Sequence, residues 1–461
     1  MAASERSAQT IDVAAFIDSR RPGRFQISVL ILGFLLVLAD GYDIAAIAFA
    51  APGMIARFGV TSMAAMGPVL SASLVGILFG ALIFGWIGDR FGRKSAIIAS
   101  SLLFGAITWI TADATSLEQV LVLRLVAGVG IGGLLPTVGA LAAEMAPRRW
   151  RASMMIILYS GVAFGGGFPG LVAATLVPEM GWPVIFRIGG IVPVLTGIAC
   201  IWMMPESVRF LVLKRRGGPA VAAILSRIAG EAIDPGARFV VAEEADLGRF
   251  SPAQLFAGRL APITPLLWLC FMLNLMGYFF LLSWTPTVLA AAHMPPARAA
   301  VAGMLTQFGG LVGGLLLARP MDRHGLLPLA PMFGLAIPVI AAIGWAAGAQ
   351  AVWAVFGLQF FAGFCVLGGQ TGLNVGAALI YPTAIRANGS GWAFGVGRLG
   401  SIVGPMLGGV LIARHLSVQS LYLVASLPYL VAFVAALAMG QLYRRRFHAG
   451  AIEQRAPVRV G

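Results

Sequence analysis

Two carboxylates three residues apart, Asp40 and Asp43, sit inside a long apolar run near the start of the chain. That spacing sets both on one face of a helix. An ionised Asp at the centre of a bilayer costs about 2.5–3.5 kcal/mol even on the gentlest insertion scale. Two like charges this close repel, and apolar surroundings disfavour ionising both, so the pair is suited to hold a proton near neutral pH. Gly41 between them permits a bend or a close helix contact. Arg124 stands in another apolar run and cannot shed its charge by deprotonation. It needs an anionic or carbonyl partner, for which Asp40, Asp43 or Glu144 are the candidates. Arg398, flanked by Gly395, Gly397 and Gly400, is a second buried fixed cation. A guanidinium grips a carboxylate bidentately, so for a carboxylate ligand Arg398 is the expected anchor. Arg386 is read either as a second carboxylate contact or as part of a gate.

Other side chains can finish a pocket. They are the aromatics Tyr278, Trp284, Phe308 and Trp392, with the amides Gln307, Gln370 and Asn374. Buried amides need hydrogen-bond partners, and an apolar slot with a few converging polar groups is the usual shape of a small-ligand site. Nothing in the sequence reads as a nucleotide loop, a metal-ligand cluster or a haem motif. The three cysteines fall in different apolar runs and read as core hydrophobes. No cofactor is therefore expected, and a proton is the expected coupling ion.

These residues need long apolar helices to hold them. Of 461 residues, 59% are apolar and 11% charged, against about 25% charged in soluble domains. That excludes an ordinary soluble protein, a disordered chain and a nucleic-acid-binding domain. Spanning the hydrocarbon takes about 20 apolar residues. Twelve runs qualify: 27–56, 67–88, 95–112, 117–143, 152–177, 183–204, 263–290, 299–318, 326–347, 351–380, 387–412 and 418–442. The chain reads as an all-α polytopic membrane protein. An N-terminal segment (1–26) precedes a six-helix half (27–204), a central loop (205–262), a second six-helix half (263–442) and a tail (443–461). With the N-terminus inside, the inner segments carry 26 of the 32 Lys and Arg and the outer loops carry three. By the positive-inside rule both termini are cytoplasmic, and the basic charge needs no nucleic-acid partner.

The halves repeat. Gly88-Asp89-Arg90-Phe91-Gly92-Arg93-Lys94 follows the second run, and Met321-Asp322-Arg323-His324-Gly325 follows the eighth, the corresponding run of the second half. Pro147 and Arg151, between the fourth and fifth runs, recur as Pro382 and Arg386 between the tenth and eleventh. Two such halves imply pseudo-two-fold symmetry around a central cavity. The first loop resembles the signature of the major facilitator superfamily. So do Arg124 followed by Gly128, Gly130 and Gly132, and Pro205-Glu206-Ser207 with Arg209. Asp40-Gly41-Tyr42-Asp43, the run Gly369 to Asn374, Tyr381 to Arg386, and Gly397-Arg398-Leu399-Gly400 resemble the aromatic acid:proton symporters within it.

The resemblance implies a secondary transporter of the bacterial inner membrane that imports small aromatic carboxylates with protons by alternating access; a monomer is expected, though the sequence leaves the oligomeric state open. The same resemblance links Arg124 to proton coupling, the role expected also of Asp40, Asp43 and Glu144. It likens Asp89, Arg90, Arg93, Lys94, Asp322 and Arg323 to inner-gate contacts, in which the Asp faces a helix N-terminus and nearby cations, and Glu144 is expected to join that cluster. The same fold also carries non-aromatic organic acids, sugars and exported drugs, and a non-transporting sensor is the rival of another class.

Overall fold

Lipid offers backbone groups no partners, so a spanning segment must satisfy them internally, as a helix does. In a computed structural model, described over residues 10–214, 218–241, 251–381 and 385–445, twelve helices are long and apolar enough to span. They are Arg24–Phe58, Met63–Phe91, Arg93–Thr111, Leu117–Met145, Arg148–Thr175, Pro183–Met203, Ile263–Ala291, Pro296–Met321, Leu329–Gly348, Val352–Ile380, Asn388–Ala413 and Val418–Tyr443. We refer to them as spans one to twelve. The face carrying the ends of the chain is called the termini face, and the other the far face.

The repeat is visible in the backbone. Gly92 and Gly325 both hold positive φ, 102° and 62°, where each half turns from one span into the next. Residues with a Cβ avoid that region. The first turn is shorter than expected: Asp89 to Lys94 is not a loop, because helix runs to Phe91 and resumes at Arg93. The Nε of Arg151 donates to the Ala146 carbonyl at 3.3 Å, and the Nε of Arg386 to the Tyr381 carbonyl at 3.2 Å. These are equivalent bonds, and they give Arg386 a role in ending span ten. Pro382, expected in that turn, lies outside the described residues.

The halves meet toward the far face and part toward the termini face. Span two and span eleven show this best. Gly67 packs on the backbone of Pro405 and Met406, Gly409 on Met63, and the Ser71 hydroxyl donates to the Ile402 carbonyl at 2.9 Å. Gly85 lies about five turns beyond Gly67 and Gly391 about five turns before Gly409, so each pair shares one helix face. Yet a Cβ at Gly85 or Gly391 would meet nothing within 4 Å, and Leu82, one turn before Gly85, is 75% exposed. One face is packed at one end and bare at the other, so the two helices diverge and leave the cavity open toward the termini.

A small cap closes the termini face of the first half. Strand β1 (Thr10–Asp12) pairs in parallel with β2 (Arg238–Val240), with Thr10 opposite Arg238. Helix Val13–Asp18 follows β1, its first turn capped by Asp12. Val13 and Ile17 share a core with Val221, Leu225 and Ile228 of helix Gly218–Ala229. Arg20 pairs with Glu231 at 2.6 Å, and the Arg148 amide donates to Asp18 at 2.6 Å.

Candidate functional site

Span one packs on span five so closely that a Cβ on Gly41 would run into the Val162 carbonyl. Gly41 is thus a close helix contact, and the contact fixes the turn carrying both carboxylates. Asp43 accepts from the Arg124 guanidinium and, at 2.7 Å, from the Thr108 hydroxyl. Both charged side chains are wholly buried. Arg124 also donates through Nε to the Ser73 hydroxyl at 3.1 Å, and its guanidinium lies 5.3 Å from the centre of the Phe186 ring. Spans one, two, three, four and six therefore converge on one buried ion pair. Such a pair holds only where hydrogen bonds compensate its desolvation.

Asp40 is placed differently. It is 3% exposed and its Oδ1 has no partner among the described residues. Arg398 of the second half is the cation that acts on it from across the interface. The Arg398 side chain is half-buried and makes no hydrogen bond or ion pair among the described residues. A buried carboxylate without a donor and an uncommitted guanidinium thus face one interface from its two sides.

The halves differ at equivalent places. The offset that carries Asp89 to Asp322 carries Ser73 to Thr306, and the offset that carries Arg151 to Arg386 carries Arg124 to Gln359. The Thr306 hydroxyl donates to Gln359 Oε1 at 2.8 Å, so the second half repeats the contact with neutral groups. At this contact, charge is confined to the first half.

Several expected residues fall elsewhere. Glu144 stands near the other end of the helix that carries Arg124, about 30 Å from it at about 1.5 Å per residue. It does not join the aspartates. It pairs with Arg93 at the termini face and accepts from the Ser207 hydroxyl. Trp284 does not line the pocket: it is fully buried, donates to the Pro405 carbonyl at 2.9 Å and packs on Gly408. Gln307 is buried at the closed end, where it accepts from the Tyr278 hydroxyl at 3.2 Å. The Asn274 amide donates to Gln370 at 2.9 Å, and Gln370 to Asn374 at 3.1 Å, a chain of amides joining spans seven and ten. Phe308 is partly exposed, and Trp392 stacks on Trp268 with ring centres 5.9 Å apart.

Among the gate residues, Lys94 Nζ donates to the Ile201 carbonyl at 2.7 Å, and Arg90 lies over the Trp86 and Phe91 rings. Asp89 and Arg323 are exposed and have no partner among the described residues, so Asp89 does not make the expected contact with a helix N-terminus there. The side chain of Asp322 lies outside the described residues. Glu206, to which the sequence assigns no role by itself, accepts from the Lys94 and Ser207 amides at 3.1 and 2.8 Å. An acidic oxygen there caps the start of span three. Its place in Pro205-Glu206-Ser207 is the one sequence signal for it. For Ser73 and Thr108 there is none.

Twelve spans in two pseudo-equivalent halves, open at one face, with buried charge where they meet, define a transporter of the major facilitator fold. The chain belongs to the sugar (and other) transporter family, which matches residues 29–444. It is 35% identical over 434 residues to the 4-hydroxybenzoate transporter PcaK of Pseudomonas putida, covering 94% of this chain and 96% of that one. It is also 35% identical to a gallate transporter of the same organism, over 93% and 95% of the two chains. The fold matches a partially occluded inward-open xylose transporter, XylE of E. coli, with a TM-score of 0.67 at 18% identity, covering 92% of this chain and 98% of that one. The protein is a multi-pass membrane transporter related to aromatic acid transporters, and not an enzyme.

Proposed function

We propose that this protein imports small aromatic carboxylates of the hydroxybenzoate or benzoate type together with protons across a bacterial inner membrane. It works as a monomer, by alternating access, with both termini in the cytoplasm. The observation that carries the reading is the charged set around span one: Asp43 held by Arg124 and Thr108, and, facing each other across the interface, Asp40 and Arg398, neither with a hydrogen bond among the described residues. A proton supplies the cation Asp40 lacks, and a substrate carboxylate supplies the anion Arg398 lacks. The relatives bring the aromatic ring to the proposal. The amide chain of Asn274, Gln370 and Asn374 offers donors and acceptors to ring substituents.

Coupling follows from charge. Drawing an anion into a negative-inside cell is opposed by about 2.3 kcal/mol per 100 mV. One co-transported proton cancels that charge and leaves the pH difference as the drive. Cells expressing the protein are expected to accumulate labelled 4-hydroxybenzoate or gallate. A protonophore should abolish accumulation, as should Asp40→Asn, which keeps the shape and cannot titrate. Accumulation of a sugar in place of these acids, or Asp40→Asn uptake equal to wild type under an acid-outside gradient, would sink the reading.

Two further results are expected. A reporter active only in the periplasm should be silent when fused near Gly230 and active near Ala349; the reverse would invert the sidedness. Closing the termini face must bring the bare faces of Gly85 and Gly391 together. A wedge such as Gly391→Trp should therefore hold the protein open to the cytoplasm and lower uptake about tenfold or more, since overpacking a contact typically costs about 1–3 kcal/mol. Unchanged uptake would show that these faces do not meet.

A further inference from the structure

Gln307 is only 4% exposed, and it sits between the halves instead of beside the open cavity. Its amide nitrogen fills a notch on span five that exists because residue 166 is glycine. A Cβ there would collide with that nitrogen, lie 3.2 Å from the Gln307 Cδ and 3.6 Å from the Gly41 carbonyl oxygen. The other end of the side chain is held by the Tyr278 hydroxyl at 3.2 Å. The preceding glycine, Gly165, packs against the Leu38 carbonyl and the Tyr42 amide, the backbone on either side of Asp40. One turn of span five thus touches the aspartate turn with one glycine and the second half with the next. Packed contacts of this kind have two arrangements, seated or parted, and do not stretch continuously.

We propose that Gln307 is the positioning residue that ties closure of the far face to the Asp40–Asp43 turn: its amide, held by Tyr278, seats in the Gly166 notch only when that turn is in place. The proposal rests on the transport reading for its sidedness and does not depend on which substrate is carried.

The test needs no substrate. Ala300 is buried at the far-face seam, where Gly170 approaches its carbonyl, and the three native cysteines are buried. Ala300→Cys in intact cells is labelled with a membrane-impermeant maleimide. In that background Gly166→Ala is expected to raise the labelling rate severalfold, because the added methyl takes the place of the Gln307 amide nitrogen and unseats a side-chain end, not backbone. Gly166→Ala with Gln307→Ala should label no faster than Gln307→Ala alone, because the side chain that collided is gone. Asp40→Asn should change the rate when Gln307 is present and leave it unchanged when Gln307 is Ala. Parent-like labelling of Gly166→Ala in protein present at normal membrane levels would overturn the proposal. So would additive effects in the double variant, or an Asp40→Asn effect that survives Gln307→Ala. An Ala349→Cys control reports sidedness on its own. If it labels only in inverted vesicles, the transport orientation is wrong, and the same comparisons decide the Gln307 proposal there.

Discussion

Arg124→Ala is expected to abolish accumulation of a labelled aromatic acid and to cut the yield of folded protein. It strands the Asp43 carboxylate in a site where both side chains are fully buried. Removing one partner of a buried pair typically costs about 3–5 kcal/mol, and a stranded carboxylate escapes that only by keeping a proton. A carrier that keeps its proton can exchange substrate across the membrane but cannot concentrate it. Pairing Arg124→Gln with Asp43→Asn removes both charges and leaves groups that can bond Ser73 and Thr108. The second half already shows such a neutral arrangement in Thr306 and Gln359. Yield should therefore recover in the double variant while proton-driven accumulation stays lost. Detergent-stable protein by size exclusion, uptake under an imposed acid-outside gradient, and counterflow separate the three quantities. Normal accumulation by Arg124→Ala, or a double variant no better folded than the single, would contradict this account of the pair.

Arg398 should behave in the opposite way, with a large loss of affinity and little loss of fold. Its side chain makes no hydrogen bond or ion pair among the described residues, so what goes with it is only its longer-range attraction to Asp40. Hydrogen bonds to charged groups are worth about 1.5–3 kcal/mol, and a bidentate grip has two. Arg398→Ala should therefore raise the half-saturating concentration by about a hundredfold or more. Arg398→Lys keeps the charge but not the planar fork, and is expected to recover only a small part. Uptake titrations at matched membrane levels measure both. Wild-type affinity in either variant would remove Arg398 as the anchor.

The spans were legible because lipid leaves the chain one solution, and a run of apolar residues states it directly. The seam inside the first half was half legible. Asp40, Asp43 and Arg124 announce themselves, since a charge in an apolar run is too costly to stand there idle. The choice between Asp43 and Glu144 as the partner of Arg124 depended on depth along span four. Ser73 and Thr108 were invisible for a different reason. Hydroxyls in apolar helices commonly bond their own backbone, as Thr111 does to the Ile107 carbonyl and Thr196 to the Val192 carbonyl. A hydroxyl that reaches another span looks the same in sequence. Trp284 failed likewise: spacing places an aromatic on a helix, but whether it meets a ligand or the Pro405 carbonyl is decided by its neighbours.

The parallel pairing of Thr10–Asp12 with Arg238–Val240 has a bearing on how the molecule is made. These strands stand 228 positions apart, and at about 5–20 residues per second roughly 10–45 s of synthesis separate them. Throughout that interval the leading segment has no strand to pair with, while six spans enter the bilayer one after another. The joint cannot form until all six spans of the first half have been made, so its presence records completion of that half. A change confined to the strand Thr10–Asp12 would therefore act late, on a finished half, since it leaves Arg20, Arg21 and Arg24 in place to orient the first span.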